Sequence, residues 1–234
     1  MLVSEFATDE LHLFDVENVL LYNVGLDAFR SSGRDGVRFQ RREWESAPHG
    51  LQGAHCYHRY VTGAAATGVA QSSGVVLARW RGVPCDAFAR EASASVGWLT
   101  MRTAEAEVFG PARPGARFEI RLTLQVPREA TASAVQLLKP LLDGVISAFH
   151  DYVGPDLDRM SLRLAEALRE EQSRVRSLLV GSGLAVLGPR RVIAGWGEGT
   201  QWNPADDLCT SGSLVIERGA SQGWLLSGEI AESV

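Results

Sequence analysis

The nine residues Phe118-Glu119-Ile120-Arg121-Leu122-Thr123-Leu124-Gln125-Val126 alternate apolar and polar without a break, and Pro127 follows them. Successive side chains of a strand point to opposite faces. Phe118, Ile120, Leu122, Leu124 and Val126 therefore share one face, while Glu119, Arg121, Thr123 and Gln125 share the other. Such a strand belongs in a sheet with one face covered and one face wet. Soon after it the period changes: Val135, Leu138, Leu142, Val145, Ile146 and Phe149 recur at spacings of three and four. That spacing predicts an amphipathic helix whose apolar stripe covers the sheet.

The flanking sequence extends both elements. Strands are expected at Val37–Trp44, Cys56–Val61, Gly74–Trp80, Ser95–Arg102 and Arg117–Val126, each rich in aromatic or β-branched residues or bounded by glycine and proline, and partial alternation adds a further strand within 11–24. A second helix is expected to start near Pro155-Asp156, to run through Met160, Leu164 and Leu168 toward Val175 and Leu179, and to stop at Gly181-Ser182-Gly183. Short strands then follow at Leu184–Leu187, Val192–Ala194, Leu214–Glu217 and Trp224–Leu226, interrupted by the turn-forming run from Asn203 to Asp207. Strands, then helices, then strands predict an α+β fold: a mainly antiparallel sheet with two central-to-C-terminal helices packed on it. Residues 1–234 read as a single domain, with a subdomain boundary near 128–134 as the alternative.

Composition narrows the function classes. Apolar and aromatic residues make up 45% of the chain and charged residues 22%, which excludes extensive disorder. The 23 basic residues against 28 acidic ones leave a net charge of −5, so nucleic acid could be attracted only through a local patch. No apolar run reaches the roughly 18–20 residues of a membrane-spanning helix. The acidic start, with Glu5, Asp9 and Glu10, lacks the basic and apolar regions of a secretion signal. A cytoplasmic protein without membrane contact is expected. Cys56, Cys85 and Cys209 are odd in number and widely spaced, which suits reduced thiols; zinc held by them with distant histidines is the less economical reading.

Several polar groups are candidates for chemistry. His55-Cys56-Tyr57-His58-Arg59-Tyr60 combines two imidazoles with a guanidinium that can hold a phosphate or carboxylate, but in a strand His55 and Arg59 face away from His58. Arg79-Trp80-Arg81 offers cations beside a stacking ring. His55, His58, Arg59, Arg79, Trp80 and Arg81 form the ligand-binding set. A helix from Val135 would carry Gln136, Lys139, Asp143 and His150 along one side, with Lys139 and Asp143 also spaced as an ordinary helix ion pair. Asp15 and Glu17 would share a strand face, and Asp206-Asp207 follow Asn203-Pro204 in a turn. If Asp15, Glu17, Asp143, Asp206 and Asp207 converged, they could hold a hard divalent cation such as magnesium. Gly195-Trp196-Gly197-Glu198-Gly199 can bring backbone close to a partner but lacks the pattern of a phosphate loop. The six tryptophans fit core packing first.

The run Leu137-Leu138-Lys139-Pro140-Leu141-Leu142-Asp143-Gly144-Val145, coming after the strand Phe118–Val126, resembles the strand-to-helix core of RusA-like Holliday junction resolvases. That resemblance implies a dimer that cuts branched DNA with magnesium-bound aspartates, with Asp143 and Lys139 at comparable positions. The family's acidic-asparagine run before the lysine is here Ser133-Ala134-Val135-Gln136, which contains no acid. The expected function is therefore a non-catalytic interaction or accessory protein in an intracellular assembly, needing no cofactor and using an exposed loop or sheet edge to bind another protein or a second copy. The alternative is a magnesium-dependent nuclease acting on structured or single-stranded DNA, with Lys139, Asp143 and His150 in catalytic roles.

Overall fold

The computed structural model describes residues 2–8, 33–44, 55–63, 66, 74–181, 183–219 and 221–233. In chain order these form β1 (Leu2–Thr8), β2 (Gly36–Trp44), β3 (His55–Thr62), β4 (Val75–Pro84), α1 (Asp86–Arg90), α2 (Ala94–Arg102), β5 (Glu107–Val108) and β6 (Phe118–Pro127). There follow α3 (Ala134–Ala148), β7 (Asp151–Tyr152), α4 (Leu157–Leu168), α5 (Gln172–Val180), β8 (Pro189–Arg190), β9 (Ile193–Trp196) and β10 (Gly199–Trp202). A 3-10 turn at Asp206–Leu208 leads into β11 (Cys209–Gly219) and β12 (Leu225–Glu232). Eight strands make one sheet in the order β1-β3-β2-β11-β6-β12-β4-β5, and β9 with β10 and β7 with β8 make two small ones. Within the large sheet, β11 and β6 run parallel, whereas the other described pairings are antiparallel. The fold is α+β on a mostly antiparallel mixed sheet.

Strand β6 sits in the middle of that sheet and keeps both faces that its alternation dictates. Phe118, Ile120, Leu122, Leu124 and Val126 are buried in the core shared with Val135, Leu138, Leu142, Val145 and Ile146 of α3. Each such side chain contributes about 2 kcal/mol on leaving water. On the opposite face Arg121 donates to Glu229 at 2.8 Å and to Glu119 at 2.9 Å, and Arg79 of β4 donates to the same Glu229 at 3.0 Å. Strand register brings these charges together, with Glu229 opposite both Arg79 and Arg121. Cross-strand pairs of opposite sign contribute roughly 0.2–1 kcal/mol each.

The structure departs from the sequence expectation in the helical layer, where the described residues hold five helices rather than two. The segment Ser95–Arg102, expected as a strand, is helical. Its aromatic and β-branched content is outweighed by an N-cap at Ser93, whose hydroxyl accepts from the Val96 N–H at 3.3 Å, and by burial of Trp98 and Met101 on one side. The run 155–179, expected as one helix, breaks at Arg169, which takes the left-handed conformation at φ 56° and ψ 44°. Leu184–Leu187 is a turn and not a strand. The expected strand within 11–24 lies outside the described residues. Among the described residues no helix is long and apolar enough to cross a membrane.

Helices α2 and α3 cross at two glycines, Gly97 and Gly144. A Cβ on Gly144 would stand 2.5 Å from the Ala94 carbonyl oxygen and 2.8 Å from the Trp98 nitrogen, and backbone cannot move aside as a flexible side chain can. Gly144→Ala is expected to destabilise the protein by roughly 2–3 kcal/mol despite alanine's better helix propensity. Urea denaturation measures this; an unchanged midpoint would contradict the close crossing.

Candidate functional site

The alternation of β3 divides the first candidate set. His58 and Tyr60 turn into the protein with their rings parallel and 6.4 Å apart, while Arg59 points out and pairs with Glu5 at 3.4 Å. Burial, reinforced by the nearby Arg41 guanidinium, lowers the His58 pKa to about 4. The His55 side chain lies outside the described residues. The same alternation acts on β4: Trp80 is buried with its ring 5.2 Å from that of Phe149, Arg79 sits on the opposite face with Glu229, and Arg81 is exposed. Arg79-Trp80-Arg81 is therefore no shared stacking platform, because a strand places neighbouring side chains on opposite sides.

The acids of the second set meet cations or backbone of this chain. Lys139 and Asp143 form an i,i+4 pair with Nζ 3.4 Å from a carboxylate oxygen. The Asp206 carboxylate accepts from the Asp207 N–H at 3.1 Å. Asp207 takes Arg190 at 3.0 Å on its carboxylate and Arg41 on its carbonyl oxygen. Among the described residues no group of three or more His, Cys, Asp or Glu is placed to hold a metal ion. Asp15 and Glu17 lie outside the described residues, as does the side chain of Cys56. Cys85 and Cys209 are buried free thiols, and burial pushes the Cys85 thiol up to about 12, aided by the Asp86 carboxylate.

At the end of α3 the chain builds a buried polar junction. His150 donates from Nδ1 to the Gly188 carbonyl at 2.9 Å, which leaves its Nε2 lone pair buried and without a hydrogen-bond partner among the described residues. Burial lowers its pKa to about 4, the Gly188 contact opposing this and the Arg190 and Arg102 charges adding to it. Arg102 donates to the His150 carbonyl, lies 3.6 Å from the Asp151 carboxylate, and places its guanidinium 5.9 Å from the centre of the Trp98 ring. Its side chain is fully buried, while Asp151 is partly exposed. Burial draws the Arg102 pKa down to about 10, against the pull of Asp151. His150 is thus a neutral, weak base at physiological pH rather than a group poised to exchange protons there.

A different kind of site stands at the β9–β10 hairpin. Gly197, at φ 55°, occupies the first loop position, where a two-residue type II′ hairpin turn calls for glycine. The base is held firmly: Ile193 is in the core, Trp202 donates from Nε1 to Ser95 Oγ at 3.2 Å, and Arg163 donates to the Gly199 carbonyl at 2.7 Å. Gly195 packs so closely on Arg163 that a Cβ there would stand 2.9 Å from Nη1. At the tip, Trp196 is 73% exposed. Core packing accounts for Trp80 and Trp98, but not for Trp196. The turn glycine at 197 and the glycine at 195 were the sequence signal for this projection; nothing in the sequence marked Arg102, Arg41 or Arg190 as neighbours of His150 or Asp207. Comparison with protein-family models, with curated proteins and with solved structures gives no match for this chain.

Proposed function

We propose that the protein is a non-catalytic interaction or accessory protein of an intracellular assembly, joined to a partner through the β9–β10 hairpin with Trp196 as the anchor. The supporting observation is the pairing of a braced hairpin base with a tryptophan exposed over most of its surface. Tryptophan is enriched among residues that dominate interface energetics, since one ring removes a large apolar area from water at little entropic cost. A hairpin already fixed in place adds little ordering cost on binding.

Trp196→Ala is expected to weaken partner association by about thirtyfold, corresponding to about 2 kcal/mol, while leaving the unfolding midpoint unchanged because the ring buries little in the free protein. Sedimentation velocity over a range of protein concentrations reads self-association. A photo-crosslinker at Glu198, used in the native cells, reads capture of another protein. Identical sedimentation and crosslinking for wild type and variant would overturn the reading.

A further inference from the structure

A groove of about 630 Å³ runs between the α1–α2 arm and the junction of α4 with α5. That volume suits a drug-sized ligand. Val96, Leu99 and Leu168 supply apolar surface, and the charged lining residues are Arg90, Arg169 and Arg174 with Glu91 and Glu170. Arg174 is paired with Glu170 at 2.6 Å, whereas Arg90 and Arg169 form no ion pair among the described residues. The groove therefore carries one positive charge in excess, on a chain whose net charge is −5. A local field of opposite sign to the whole is a selective feature for an anion.

Arg169 supplies an independent observation. It is the one non-glycine residue at positive φ among the described residues, and it closes α4 with the two hydrogen bonds of a Schellman motif, Arg169 N–H to the Glu166 carbonyl at 3.3 Å and Glu170 N–H to the Ala165 carbonyl at 3.0 Å. Glycine is the usual residue at that position because a Cβ crowds the backbone there. The Schellman bonds account for the backbone conformation, and the exposed Arg169 side chain lines the groove with no ion pair among the described residues.

We propose that this groove binds a small organic anion, an apolar body carrying a phosphate or carboxylate head, with Arg90 and Arg169 holding the head and the Val96–Leu99–Leu168 surface holding the body. The proposal stands apart from the hairpin reading, and either can fail alone. Anilinonaphthalene sulfonate, an aromatic ring system with one anionic group, serves as the fluorescent probe on the full chain, with phenyl phosphate and decanoate as competitors. Saturable fluorescence displaced by at least one competitor is expected, and the competitor that displaces it identifies the head. Arg90→Gln and Arg169→Gly should each weaken binding roughly tenfold, the loss of one charge-assisted contact. Arg169→Gly should at the same time raise Tm by roughly 2–4 °C through relief of backbone strain, so lost binding cannot be ascribed to unfolding. Arg59→Gln, on the far strand β3, should bind as wild type does. The proposal is overturned if Arg169→Gly binds the probe as tightly as wild type, if neither competitor displaces it, or if decanol displaces it as well as decanoate.

Discussion

Acidification from pH 7 to pH 4 is expected to remove about 6 kcal/mol of folding stability, and two buried histidines carry the loss. His58 and His150 are each lowered from 6.5 to about 4, chiefly because burial disfavours the charged ring. Between those values the unfolded chain binds protons that the folded chain refuses, so stability falls as pH falls through the window from 6.5 to about 4 and then levels off for these groups. A displacement of that size is worth about 3 kcal/mol per histidine, against a total stability of about 5–15 kcal/mol for ordinary domains. Urea denaturation at a series of pH values should give a slope of roughly 2–3 kcal/mol per pH unit around pH 5, close to the value for two protons. His58→Phe keeps an aromatic ring against Tyr60 and should roughly halve that slope. A profile flat between pH 6.5 and 4.5, or one that His58→Phe leaves unaltered, would show that these rings are hydrated in solution.

The Arg102–Asp151 pair should respond asymmetrically to mutation. Arg102 is wholly buried and its partner partly exposed. Asp151→Asn leaves a guanidinium in the interior without its counter-charge and is expected to cost about 3 kcal/mol. Arg102→Met removes the buried charge, fills much of its volume beside Trp98 and leaves an Asp151 that water can reach, but it takes the donor from the His150 carbonyl; it should cost about 1–2 kcal/mol, less than Asp151→Asn. The double variant should be more stable than Asp151→Asn alone, an interaction that a double-mutant cycle reads directly. Additive single effects would mean that the 3.6 Å approach carries no coupling.

The acid profile and the asymmetric pair both depend on contacts between elements, and that is where the sequence stops being readable. Strand faces were legible residue by residue: Phe118 to Val126 alternates and its two faces are the buried and charged faces of β6. The same rule, applied to Arg79-Trp80-Arg81, already separates the ring from its neighbours, as it separates His58 from Arg59. Helix α2 was not legible from residue preference, because Val96, Trp98 and Thr100 favour strands on their own; the Ser93 cap and the glycine crossing with α3 outweigh that preference. The break at Arg169 left no mark either, since arginine is a good helix former and glycine is the usual residue in the left-handed position that closes a helix.

The candidate sites divide in the same way. The Gly195–Gly199 hairpin is local in sequence and its glycines mark backbone able to approach a partner, but the exposure of Trp196 runs against the expectation that the tryptophans pack in the core. The arginine groove draws Arg90 from one helix arm and Arg169 with Arg174 from another, and the surroundings of His150 come from α2, β7, β8 and the turn before β11. Periodicity in a chain reports which way a side chain points relative to its own backbone, because that is set by dihedral geometry. Which side chains then meet is set by the packing of elements far apart in sequence, and burial, ion pairing and proton affinity all follow from those meetings.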